Sequence, residues 1–225
     1  MAIHDIIMAA AGGASSLSLT YIGSGYTGNT STTQTVSNFS LGTGFTNRRI
    51  IVFATVNAGG FRSFTSATLD GNNMTQLASI STFGCTAAYE IADAVNSTAD
   101  IELEVSGSVG TPMRIFVYSV NTPSLTLVDS ASSANTSATK SLTVNTAFNG
   151  AVLMAANAFN SSTVSVSSFS GLDQLDYPGA KDGSSSFRVM GSDAITAKTT
   201  NSVYSITFNT TSVSSDKALA ISLSR

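Results

Sequence analysis

The sequence predicts an all-β fold, an antiparallel β-sandwich preceded by a short amino-terminal helical arm. Runs rich in β-branched and aromatic residues recur from Leu17 to Arg225, punctuated by Gly, Asn and Ser clusters. Some runs alternate apolar with polar residues, the mark of a half-covered strand, and others are apolar throughout, as in strands covered on both faces. No amphipathic stretch of helical period and useful length interrupts them.

Residues 1–16 stand apart from that pattern. Ile3, Ile6, Ile7 and Ala10 follow helical spacing, so one face of a short helix is apolar. A helix so short is marginal alone, because nucleation is costly and few hydrogen bonds follow it. The segment is expected to be an anchor arm, with Ile3, Ile6, Ile7 and Met8 as its partner-binding residues and 11–16 as a Gly/Ser linker. It has no basic region ahead of its apolar run, so it is not read as a secretory signal.

Residues 17–225 are expected to form a single sandwich domain of two pseudo-repeated halves. Predicted strands cover 18–23, 33–40, 49–56, 65–70, 74–80, 85–91, 100–105 and 113–120 in the first half. In the second half they cover 125–130, 140–146, 151–158, 163–168, 186–194, 202–209 and 217–224. The apolar run Arg49–Val56 reads as a central strand, and 150–157 echoes it. Ile101, Leu103 and Val105 alternate with Asp100, Glu102 and Glu104, which directs the first set into the core. Pairing 100–105 with 113–120 as a hairpin would set Glu104 opposite Arg114 on the solvent face. Pro112, Pro123 and Pro178 are all assigned to turns.

Composition narrows function by exclusion. Hydrophobic residues make up 42 %, enough for a packed core, while charged residues are only 10 %, against roughly 25 % in ordinary globular domains. A surface of Ser, Thr, Asn and Gly suits a protein that contacts other protein over much of its area, or one that lives outside the cell. The net charge is −3 and the only adjacent basic pair is Arg48–Arg49, which argues against nucleic-acid binding. No apolar run approaches the ~20 residues of a membrane-spanning helix. The lone cysteine, Cys85, cannot form an internal disulfide and reads as a small buried hydrophobe.

Catalytic chemistry finds little to use. The sole histidine, His4, lies in the arm, which leaves the body without a histidine base or a histidine metal ligand. Glu102 and Glu104 share one strand face about 6.5–7 Å apart, a separation compatible with an inverting glycosidase, but their alternation reads as a water-facing surface. Asp173, Asp176 and Asp182 fall in an apparent polar loop whose spacing matches no calcium motif. Gly23–Gly28 reads as a mobile loop, lacking the Lys and Ser/Thr of a phosphate cradle. Tyr21, Tyr26 and Tyr177 are expected in or beside loops, where they could stack on a sugar, and Tyr26 and Tyr177 are the candidate glycan contacts. No catalytic, cofactor-binding or metal-binding residue is assigned.

Two features carry a resemblance. The opening Met1-Ala-Ile-His-Asp-Ile-Ile-Met-Ala-Ala-Ala-Gly-Gly is similar to the apolar amino termini of tailed-bacteriophage virion proteins. The body resembles the jelly-roll-like β-sandwich modules of phage structural proteins and bacterial surface proteins. Its markers are 49–56, 67–75, 87–91, 101–107 and 115–120. The resemblance implies a non-enzymatic virion component, peripheral on head or tail (decoration protein, spike, collar or fibre) and attached through its arm. Its expected partners are capsid or tail subunits and further copies of itself, with neither nucleic acid nor membrane. The alternative is an adhesin or receptor-binding module recognising host-surface glycans.

Overall fold

The long apolar runs become central strands because each serves two cores at once. In a computed structural model, which describes residues 17–27, 30–43, 46–92, 96–159, 163–182, 186–196, 201–210 and 214–225, the chain is all-β and antiparallel. The expected helical arm, with Ile3, His4, Ile6, Ile7 and Met8, lies outside the described residues, and so does the side chain of Cys85. Among the described residues there is no helix, and hence none long and apolar enough to cross a membrane.

The first half supplies β1 (Leu19–Tyr26), β2 (Thr33–Ser40), β3 (Arg48–Phe61), β4 (Phe64–Leu69), β5 (Asn72–Asn73), β6 (Thr75–Ala92), β7 (Thr98–Val105) and β8 (Arg114–Asn121). The second supplies β9 (Thr126–Ala134), β10 (Thr139–Val144), β11 (Ala151–Phe159), β12 (Val166–Ser170), β13 (Gln174–Asp182), β14 (Ser186–Ala194), β15 (Ser202–Phe208) and β16 (Ser214–Ser224). In the first half an inner sheet, β1-β8-β3-β6, faces an outer sheet, β2-β7-β4-β5. In the second, an inner sheet, β13-β14-β11-β16-β9, faces an outer one, β10-β15-β12.

Three apolar clusters bind these sheets into successive layers. Ile50, Val52, Ala54 and Val56 of β3 join Leu103, Val105, Ile115 and Val117 between the sheets of the first half. Val152, Met154 and Ala156 of β11 join Leu142, Tyr204 and Ile206 between those of the second. The alternate residues, Ile51 and Phe53 of β3 with Leu153 and Ala155 of β11, form a third cluster between the two inner sheets. Period-two alternation therefore gives β3 and β11 two apolar faces each. Every layer depends on its neighbour for burial.

Strand β6 is folded back on itself. Gln76 Nε2 donates to the Tyr89 hydroxyl at 3.1 Å although the residues are thirteen apart, a stretch of about 43 Å if extended. The reversal uses Gly84 at φ +99°, where a β-carbon would lie 2.2 Å from the Val56 carbonyl oxygen. The hairpin of β13 and β14 takes the same place in the second half, with Asp182 opposite Ser186 and Gln174 opposite Ser192.

Four expectations need correction. The strands 100–105 and 113–120 do not pair: β7 lies between β2 and β4 in the outer sheet, and β8 between β1 and β3 in the inner sheet. The connection crosses from one layer to the other, so Glu104 takes a hydrogen bond from Ser66 on the outer face while Arg114 faces the other half. Ile101, Leu103 and Val105 do face the core. The segment 174–182 is not a loop but edge strand β13, its pairing shifted on either side of Tyr177. An edge position and bulges tolerate Pro178, because no ladder hydrogen bond is demanded of its nitrogen. Gly23 and Gly25 likewise lie inside β1, so Tyr26 and Tyr177 both sit on edge strands rather than in loops.

Candidate functional site

Edge strands β1 and β13 lie at one margin of the contact between the two inner sheets, where side chains of β1 and β8 meet those of β13, and polar chemistry gathers in that seam. At one end Leu17, Ser18 and Leu19 form a cleft of about 290 Å³ with Asp173, Gln174 and Ser192–Ala194. Midway, Tyr21 packs on Tyr118 with ring centroids 5.2 Å apart. At the other end stands Arg114, its guanidinium carbon 5.1 Å from the centre of the Tyr26 ring and 5.4 Å from that of Tyr177.

The two tyrosines singled out from sequence are thus brought to one cation. Tyr26 is the last residue of β1 and directly opposes Arg114, the first residue of β8. Tyr177 reaches the same guanidinium from the other half, its ring also 5.2 Å from Phe116. Tyr26 is 40 % exposed, so the stack opens to solvent on that side. A guanidinium between two ring faces is held by the attraction of each π-system for a cation, about 0.5–2 kcal/mol per contact according to exposure. Arg114 also donates to Ser24 Oγ at 3.2 Å, which fixes its plane.

Asp176 is the anionic counterpart. It accepts from the Tyr118 hydroxyl at 2.7 Å, from Ser192 Oγ at 2.6 Å and from Gln174 Nε2 at 2.6 Å. Burial first, and then the adjacent carboxylate, push the Tyr118 phenol far above its ordinary range, so it remains a proton donor. Tyr21 is also raised, chiefly by burial. Asp176 is engaged by three side-chain donors, and Asp173 accepts the Ala194 backbone N–H at 2.8 Å. The side chain of Asp182 lies outside the described residues, and among those described no group of three His, Cys, Asp or Glu could hold a metal ion.

Sequence reasoning missed Arg114, Tyr118 and Asp176 as members of one site. A signal existed for the first: Arg114 is the lone charge heading the apolar run Met113–Val120. The repeat sharpens the contrast. At the opposite margin, where β6 packs on β9 and β16, Leu77, Ala78, Ile80, Leu125 and Leu127 lie beside the buried Lys217, which donates to Asn57 Oδ1 at 3.1 Å. The two margins therefore differ in kind, aromatic with a carboxylate network at one and aliphatic with a buried lysine at the other. Compared with known proteins, the chain matches no protein-family model and no curated protein sequence.

Proposed function

We propose that the protein is a non-enzymatic bacteriophage virion component, peripheral on the particle and attached through its amino-terminal arm. The observation that carries this reading is the strand order. In the first half it runs β1-β8-β3-β6 over β2-β7-β4-β5, the winding of a jelly roll. The second half repeats it, with β9-β16-β11-β14 over β10-β15-β12 and β13 added at the edge. Jelly rolls are a recurrent solution for viral capsid and lectin domains, and the inference from fold to function here is one of likeness.

Surface chemistry supports the same reading. Charged residues are 10 % of the chain, and the one basic pair is spent internally. Arg48, 1 % exposed, donates to the carbonyls of Leu41, Thr43 and Asn96. Arg49 grips both carboxylate oxygens of Glu90, at 2.9 and 3.0 Å. Glu102 and Glu104 accept hydrogen bonds from Thr35 and Ser66 on the outer face, with the environment of a solvated surface. Imaging a labelled copy on intact particles tests the proposal, which requires the label to lie on the particle surface.

A second reading is favoured by one observation, the stack of Tyr26, Arg114 and Tyr177. Aromatic faces beside a cation and a carboxylate suit a sugar, whose apolar ring face stacks while its hydroxyls bond. On that reading the chain is a glycan-binding adhesin or receptor-binding module. Titration of host-surface glycans against the protein and its Tyr26→Ala and Tyr177→Ala variants tests it, with loss of binding in either variant as the expected result.

A further inference from the structure

The two halves differ at one place. In the first, the outer sheet ends with β4 and β5, and Met74 after them is buried in the core. In the second, the outer sheet stops at β12, and only residues 171–173 separate it from β13. A groove of about 710 Å³ opens there, lined by every residue from Val164 to Phe169 and by Leu175, Pro178, Gly179 and Phe187.

The groove reaches a core face. Phe169 pairs directly with Ile206, which is fully buried, and directly opposed residues of an antiparallel pair project to the same side. Phe169 therefore points toward the core, yet it is 43 % exposed. Its counterpart in the first half, Ala67 opposite Leu103, is 3 % exposed. Phe187, on the groove floor, is 3 % exposed and packs on Phe208. Beyond β12 the described residues cover the second core with Leu172, Leu175 and edge strand β13 alone, which leaves Phe169 exposed.

We propose that this groove is the receptor for the amino-terminal arm, Ile3–Met8, of a second copy of the chain. The proposal rests on the reading of the arm as an attachment device and makes the partner that it reaches a copy of the chain already on the particle. The arm brings Ile3, Ile6 and Ile7 at helical spacing, the anchor pattern of an amphipathic helix laid into an apolar groove. It joins the fold at Leu17, whose backbone N–H donates to the Asn149 carbonyl at 2.8 Å. Leu17 shares its cleft with Gln174, and Leu175, the next residue of β13, lines the groove. With its helix laid in the groove, the arm reaches from Leu17 through the linker 11–16, about 20 Å when extended, enough to cross to a neighbour packed along this margin. With 10 % charged residues, the chain sets little repulsion between copies.

Analytical ultracentrifugation of the full chain tests the proposal. The wild type self-associates, and Ile6→Asp with Ile7→Asp weakens association by about a hundredfold. Phe169→Asp does the same, as does Ser168→Arg on the exposed rim, which alters no buried contact. The arm-disabled and groove-disabled proteins, each monomeric alone, associate in pairs when mixed, because one retains the groove and the other the arm. A monomeric wild type, or association that survives either set of substitutions, overturns the proposal. So does a monomer whose backbone amides 164–169 exchange more slowly than in the arm variant, since the arm would then fill its own groove. If copies associate through arm and groove but the label is absent from particles, the virion reading fails and the interface stands. Particles decorated by a monomeric chain through its arm give the reverse.

Discussion

Lys140 and Asp216 form an ion pair, Nζ to Oδ2 at 3.3 Å, with neither side chain exposed. Lys140 also donates to the backbone carbonyl and side-chain oxygen of Asn135, and Asp216 accepts the Phe159 N–H at 2.7 Å. The first half solves the same position without charge. Gln34, opposite Leu103 as Lys140 is opposite Ile206, accepts the Met113 N–H at 3.1 Å and bonds Thr27. A buried charge pair gains Coulomb energy only after a large desolvation cost.

That cost sets a pH dependence. Burial raises the Asp216 carboxyl to about 6, partly offset by the Phe159 amide and Lys140, and burial lowers Lys140. An acid whose folded pKa exceeds its unfolded one is protonated more in the folded state between the two values. Stability should therefore fall as pH rises from about 4 to 6, by up to about 3 kcal/mol. Replacing Lys140 by Gln, the residue type of Gln34 in the first half, together with Asp216 by Asn should remove that decline in urea denaturation. An unchanged slope would assign it to other groups.

Leu103 is fully buried in the first core, whereas Glu102 lies on the outer face of the same strand. Leu103→Ala should cost about 2–5 kcal/mol through the cavity it leaves, and Glu102→Ala less than about 0.5 kcal/mol. Comparable losses in chemical denaturation would mean that the faces of β7 are inverted.

The alternation that identifies those faces was legible in the sequence, and so were the apolar runs of β3 and β11. Three things were not. Pairing of β7 with β8 follows from chain proximity only when a connection turns within one sheet, and 106–113 instead crosses between layers. Strand β13 carries Pro178, Gly179 and three carboxylates near or within it, a loop composition that only an edge strand with bulges accommodates. Tyr26 and Tyr177 could be singled out as aromatics, but their meeting at Arg114 depends on packing between halves, which no local pattern encodes.

Gly84 and Gly42 separate two causes of glycine dependence. Both have positive φ, +99° and +70°, but a β-carbon at Gly84 would meet the Val56 carbonyl at 2.2 Å while one at Gly42 meets nothing within 4 Å. Gly42→Ala should cost only the backbone strain, about 1–3 kcal/mol. Gly84→Ala should cost clearly more, because β3 and the returning arm of β6 must separate. Equal shifts in melting temperature would remove the close approach from the explanation.

Within the seam, Tyr118→Phe deletes one of three side-chain donors to Asp176 and should destabilise by about 1.5–3 kcal/mol, as for a hydrogen bond to a charged group. Tyr26→Ala, at an exposed edge, should cost about 1 kcal/mol or less. Thermal denaturation distinguishes them, and a larger loss at Tyr26 would make the stack, rather than the Asp176 network, the mainstay of the contact between halves.

The central claim is attachment to a phage particle through the arm, and electron microscopy of purified particles with gold-labelled protein tests it most directly. Full-length chain should decorate the particle surface at regular positions. Chain with Ile6→Asp and Ile7→Asp should melt at the same temperature and leave particles bare, because the arm is read from sequence as an attachment device and not as part of the folded body. Particles that never carry the full-length chain, or that carry the substituted chain equally well, would contradict the account.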